Sequence, residues 1–145
     1  MNAAWDTGLA SSLRVAQAAL ARSDAHCLIL ACDQPALERE HLQRLLAGAG
    51  QSRSGCAVTL HGGRAGIPAV VTAGLLRRAH ELQGDRGLRE VLGELREGSA
   101  WRLDAPELQF DVDTPKDIEQ AVADGLLDKL TPWSADPLRP RAMPR

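Results

Sequence analysis

The sequence predicts an α/β fold, a three-layer sandwich in which amphipathic helices cover a mostly parallel, mixed sheet. Two observations predict it. Short apolar runs of strand length alternate with longer segments whose apolar residues recur at helical spacing, and that alternation places helices on the faces of a sheet. The chain has 145 residues, 44% apolar and 25% charged, which suits one globular core of ordinary composition. With three Trp, one Phe and no Tyr, that core is built from Leu, Val, Ile and Ala.

Taken in order, Leu9, Leu13, Ala16 and Leu20 lie on one helical face and predict a helix from Leu9 to about Arg22. His26 to Ala31 is a nearly continuous apolar run, which predicts a buried strand covered on both faces. It ends at Cys32-Asp33-Gln34-Pro35, where proline stops the strand. A second helix follows with Leu42, Leu45 and Leu46 on one face, and residues 48–55 read as a loop by composition. Cys56 to Leu60 predicts a strand, the stretch from His61 to Gly66 a glycine-rich turn, and Ile67 to Val71 a further extended segment.

Thr72 can cap a helix carrying Leu75, Leu76, Ala79 and Leu82, and Asp85 can cap another with Leu88, Val91, Leu92 and Leu95 on one stripe. Trp101 to Leu103 and Leu108 to Val112 read as extended. Thr114-Pro115-Lys116-Asp117 is a capping box with proline at the first helical position, opening a helix with Ile118, Val122, Leu126 and Leu130 on its apolar face. The domain is expected to span residues 1–130, and the proline-rich residues 131–145 to form a disordered tail. The first helix has no strand before it. A sheet edge is therefore expected to lie open, favouring a homo-oligomer or a partner chain.

Composition excludes several roles. A formal net charge of -2 gives no basic field for nucleic acid, and the few aromatics give no base-stacking platform. No apolar run approaches the ~20 residues of a membrane span, and the first residues are not a signal peptide. Cys27, Cys32 and Cys56 form no CxxC pair, which argues against a disulfide framework or structural zinc and suits a reducing cytoplasm. The four histidines share no spacing with one another or with a nucleophile, so histidines and cysteines are read as structural or solvent-facing.

Chemistry is expected first at Asp33. A carboxylate just past a buried strand faces the crevice where open α/β sheets bind ligands, and it suits Mg²⁺. It equally fits an Asx turn before Pro35. Asp111 and Asp113, two apart on an extended segment, point to one face, and their repulsion calls for a cation or donors. Gly62, Gly63 and Gly66 permit close backbone approach. Gly8, Ser11 and Ser12 open the first helix, where hydroxyls and free amides can hold a polar ligand or simply cap.

Five segments in order resemble the MobA-like NTP-transferase family, and within it the molybdenum cofactor cytidylyltransferase branch. They are residues 2–13 (NAAWDTGLASSL), 28–35 (LILACDQP), 62–68 (GGRAGIP), 84–89 (GDRGLR) and 111–117 (DVDTPKD). The resemblance implies a Rossmann-like GT-A domain that transfers a nucleotidyl group, CMP from CTP, to a phosphorylated acceptor such as molybdopterin, with release of pyrophosphate. It implies that Asp33 and Asp113 are catalytic Mg²⁺ ligands, with Asp111 a further one. Gly8, Ser11 and Ser12 would then bind the nucleotide, and Gly66, Pro68 and Asp85 the acceptor.

The family opens with a strand and a loop of the form LAAGxSxRxGxxK, which grips the triphosphate, and nothing in this sequence matches it. On the family's pattern the chain lacks its first strand and signature loop, and negligible transferase activity is expected of it alone. The rival readings are an accessory or binding protein with a degenerate nucleotidyltransferase fold, a guanylyltransferase, or a sugar- or erythritol-phosphate nucleotidyltransferase.

Overall fold

The structure, a computed structural model, describes residues 2–20, 25–78, 88–93, 95 and 98–128. Among them are four strands, β1 (Cys27–Ile29), β2 (Ala57–His61), β3 (Arg64–Val71) and β4 (Trp101–Asp104). The helices are α1 (Leu9–Leu20), α2 (Arg39–Gln51), α3 (Ala73–Arg77), α4 (Leu88–Gly93) and α5 (Pro115–Ala123), with 3₁₀ turns at Trp5–Thr7 and Pro106–Gln109. Contacts divide the chain into two compact units, Met1–Asp111 and Val112–Arg145.

In the first unit the strands lie in the order β1-β3-β2-β4. The α/β class and the mixed sheet stand as predicted, but the emphasis on parallel pairing does not. β3 pairs antiparallel with both β1 and β2, and among the described residues only β2 with β4 is parallel. The cause is local. Gly62 and Gly63 both take positive φ, 57° and 80°, as the two central residues of a tight type I′ turn require. They fold β2 and β3 into a hairpin.

Alternation along the strands divides the core in two. Cys56, Val58, Ala69 and Val71 face Ala10 and Leu13 of α1, Leu76 of α3, and Leu88, Val91 and Leu92 of α4. Ala57, Val70 and Leu103 face the other way, against Leu45 and Ala49 of α2, with Ala105 and Leu108 beside them. This is the predicted helix-sheet-helix layering. β1 is less covered than its apolar run suggests: its three residues are half-buried and Leu30 beyond them is exposed. It ends the strand order, with β3 its strand neighbour among the described residues.

Several element boundaries differ from the sequence expectation, β3 for one beginning at Arg64, inside the stretch expected to be a turn. Residues 48–51 are helix, not loop. Gly48 is buried so close to the Trp101 ring that a Cβ there would fall 2.2 Å from Cδ2, so close packing offsets glycine's weak helix propensity. On the same helix Leu46 is 51% exposed and off the core face. Residues 108–112 do not form a strand. Pro106 opens a 3₁₀ turn in which the Leu108 N–H donates to the Ala105 carbonyl, and the Leu108 side chain is buried.

In the second unit the predicted capping box forms: Thr114 Oγ1 accepts from the Asp117 N–H and Asp117 Oδ2 accepts from the Thr114 N–H (2.8 Å). Helix α5 stops at Ala123, before Leu126. Gly125 takes φ 72°, the Leu126 N–H reaches the Ala121 carbonyl (2.8 Å) and the Gly125 N–H that of Val122 (3.2 Å), a Schellman motif. Leu126 is consequently exposed. Leu130, residues 131–145, Ala79, Leu82 and the predicted cap Asp85 lie outside the described residues.

Candidate functional site at the exit of β1

Past β1 the chain bends at Cys32 and Asp33. Asp33 is half-buried, and its Oδ1 is shut from solvent with no hydrogen-bond partner among the described residues. The turn that follows is closed by backbone alone, Leu37 N–H to Gln34 carbonyl at 3.1 Å. The Asx-turn reading of Oδ1 therefore has no bond behind it. Stripping a polar atom of water without a partner costs about 1–3 kcal/mol, and more where the atom carries charge.

The next residue, Gln34, is buried and ties three segments together. Its Nε2 donates to the Leu108 carbonyl (2.8 Å) and, more weakly, to that of Ile67 (3.4 Å). Ile67 and Pro68, joined by a cis peptide, lie in an irregularity of β3, between the pairs Thr59↔Gly66 and Val58↔Ala69. A buried backbone segment that leaves the ladder needs other partners, and side chains supply them. His61 Nε2 donates to the Ile67 carbonyl (2.7 Å) and Thr59 Oγ1 to the Pro68 carbonyl (2.8 Å).

On the α2 side, His41 Nδ1 accepts from the Glu38 N–H (3.1 Å), which leaves its ring proton on Nε2, donating to Glu107 at 2.8 Å. A hydrogen bond to the Glu107 carboxylate from its own backbone N–H, then one from the His41 ring, hold that carboxyl below the usual range. Gln34 and Thr59 were missed as candidates, and the predicted structural reading of His41 and His61 fits these bonds. The available signal for Gln34 was an amide side chain between a carboxylate and a strand-ending proline, in apolar surroundings.

The other predicted residues are spread around this centre. Gly66 and Pro68 are buried, and Gly66 lies under the His61 ring, where a Cβ would meet Cδ2 at 2.4 Å. Gly8 takes φ 102°. Ser11 is buried, and its hydroxyl donates to the Gly8 carbonyl (2.8 Å). Asn2 Nδ2 donates to both Ser11 Oγ (2.8 Å) and exposed Ser12 Oγ (3.0 Å). Asp85 lies outside the described residues.

Asp111 is exposed and ends the first unit, while Asp113 is exposed in the second. The Asp113 N–H donates to Asp117 Oδ2 (3.2 Å). Of the cysteines, Cys56 is buried, Cys32 is exposed in the bend beyond β1, and partial burial pushes the Cys27 thiol up.

Among the described residues there is no group of three or more His, Cys, Asp or Glu that could hold a metal ion by itself. Magnesium does not require one. It is commonly held by one or two carboxylates, with substrate phosphates and water completing its shell. A bare, buried carboxylate oxygen at a strand exit fits that chemistry, and Asp33 is such a residue. No helix among the described residues is long and apolar enough to cross a membrane.

Comparison with known proteins accords with this architecture. Solved structures match, among them the crystal structure of a Mycobacterium tuberculosis rv0371c homolog from Mycobacterium sp. strain JC1, with a TM-score of 0.60 and 28% sequence identity. The match covers 78% of this chain and 56% of that one, so the chain spans little more than half the length of that protein. No curated protein matches. Residues 1–99 match the MobA-like NTP transferase domain, a stretch that includes Gly8, Ser11, Ser12, Asp33, Gly66, Pro68 and Asp85 and stops short of Asp111 and Asp113. The chain belongs to the MobA-like NTP transferase family.

Proposed function

We propose that the chain provides the cation and acceptor side of a cytoplasmic nucleotidyltransferase of the molybdenum cofactor cytidylyltransferase type. In that reaction an acceptor phosphate oxygen bonds to the α-phosphorus of CTP, the bond to the β-phosphate breaks, and pyrophosphate leaves. Mg²⁺, when bound, offsets the charge that gathers on the transferred group and the leaving pyrophosphate.

The observation that carries this reading is the buried Oδ1 of Asp33 at a strand exit, without a partner among the described residues, in a chain of this family. Asp33 offers the oxygen. Gln34, Thr59 and His61 fix the backbone that positions it and the Gly66–Pro68 segment, proposed to border the acceptor. Asp111 and Asp113 are retained as further carboxylates for the ion on sequence grounds alone.

Calorimetry of the chain with CTP, GTP and ATP, with and without Mg²⁺, tests the proposal. CTP is expected to bind weakly, since nothing in this sequence matches the loop that grips the triphosphate, and only with Mg²⁺; Asp33→Asn is expected to weaken that binding at least about tenfold. Mg²⁺-independent binding, or binding equal in Asp33→Asn, would refute the assignment of Asp33.

A second reading, an accessory protein on a degenerate nucleotidyltransferase fold, is favoured by one observation. Asn2 engages both serine hydroxyls proposed to meet the nucleotide. Absence of binding by any of the three nucleotides, with and without Mg²⁺, would support it.

A further inference from the structure

Gln34 lies one residue beyond Asp33 and is 7% exposed. Its amide has one sensible orientation. Nε2 faces the carbonyls of Leu108 and Ile67, and the flipped group would set an oxygen against both. The oxygen is thus the atom left over: Oε1 is buried with no donor, as is Oδ1 of Asp33. Two consecutive residues at the strand exit therefore each hold a desolvated acceptor with no partner among the described residues. A group that satisfied both oxygens would have to carry positive charge and O–H or N–H donors.

A hydrated divalent cation has this character. Magnesium gives up its waters reluctantly. The waters it retains are polarised O–H donors, and side chains that accept from them tune the site as outer-shell partners do. A neutral amide oxygen serves as such an acceptor without adding a charge that would have to be desolvated.

We propose that Gln34 is an outer-shell positioning residue of the cation site, its Oε1 accepting a hydrogen bond from a water on the ion that Asp33 binds. Its nitrogen meanwhile fastens β1's exit to β3 and to the Pro106–Gln109 turn. The inference rests on the proposed role of Asp33.

Mn²⁺ binding to the whole chain, followed by electron paramagnetic resonance below the unfolding temperature, tests it alongside thermal unfolding. Four proteins are compared: the parent, Asp33→Asn, Gln34→Leu and Gln34→Glu. Both Gln34 variants lose the two donated bonds and should unfold at lower temperature. Gln34→Leu also loses the oxygen and should weaken Mn²⁺ binding about tenfold. Gln34→Glu sets one oxygen against the Leu108 and Ile67 carbonyls and should be the less stable of the two, but it keeps an acceptor oxygen and should bind Mn²⁺ no more weakly than the parent.

The added charge of Gln34→Glu itself favours a cation, so the deciding comparison is Gln34→Leu with the parent, and equal Mn²⁺ affinities in those two overturn the inference. Parent-like binding by Gln34→Leu, together with loss in Asp33→Asn, overturns it while leaving Asp33 in place. Binding that is absent from the parent, or equal in parent and Asp33→Asn, removes both. Should Gln34→Leu fail to fold, weakened binding by Gln34→Glu is sufficient to refute the proposal.

Discussion

Thr59 has no exposed surface, and its hydroxyl is the donor to the Pro68 carbonyl. Thr59→Val keeps the branched shape that suits β2 and leaves that carbonyl without this donor, so it should cost about 1–3 kcal/mol, read as a lower urea midpoint with an unchanged slope. An unaltered midpoint would mean that another donor reaches the carbonyl. The sequence hides this role for a physical reason. Thr59 sits in the run Cys56 to Leu60 as one more β-branched strand residue, and its partner becomes visible only once β3 departs from the ladder. Gln34 is hidden more deeply, since the carbonyl it holds most closely belongs to a residue 74 positions away. The Thr114–Asp117 box was legible because its partners are three residues apart and its chemistry is local. Asp33 lies between these cases. Its place at a strand end could be read, whereas the lack of a partner for its Oδ1 among the described residues depends on everything packed around it.

At the scale of elements, periodicity located the helices and strands, and packing set their ends. Helix α2 makes the point with two glycines. Gly48 is pressed against the Trp101 ring, while Gly50, two residues on, has nothing within 4 Å of where a Cβ would sit. From composition they are the same residue in the same presumed loop. Gly50→Ala should stabilise the protein by about 0.5–1 kcal/mol through helix propensity. Gly48→Ala gains the same propensity but must displace Trp101 or bend α2. Overpacking of this kind costs about 1–3 kcal/mol, so the net change should be destabilising. Thermal unfolding of the two variants should therefore move in opposite directions, and the Trp101 environment, followed by near-ultraviolet dichroism, should change only in Gly48→Ala. The Leu108 to Val112 segment was misread for a related reason. Its apolar residues suit a strand, but Pro106 begins a 3₁₀ turn that buries Leu108 without a ladder.

At the scale of the whole molecule, the division at Asp111 separates two carboxyls whose pKa values are depressed by different local bonds. Glu107, in the first unit, is held low by its own backbone and then by His41. Asp117, in the second, is held low by the Thr114 hydroxyl and then the Thr114 N–H. The sign is the same for both. A group whose folded pKa lies below its unfolded value contributes stability that is fully present above the unfolded value, near 4 for these groups. That contribution is lost as pH falls through the lower, folded value. Both groups are largely exposed, so neither should contribute much, and salt should diminish the effect. Glu107→Gln should lower the melting temperature of the first unit at pH 7 by roughly 1–4 °C, and that deficit should close as pH falls through the depressed folded pKa, where the parent loses the same contribution. Asp117→Asn should loosen the α5 start at pH 7, read as faster amide exchange at Thr114 and Asp117, and leave the first unit's melting temperature unchanged. A melting deficit for Glu107→Gln that did not shrink as the solution was acidified would show that the side chain acts through packing against His41 and not through its charge. Because His41 lies in the first turn of α2 and Glu107 beside the carbonyl that Gln34 holds, that deficit should be accompanied by weaker Mn²⁺ binding only if the strain reaches the exit of β1.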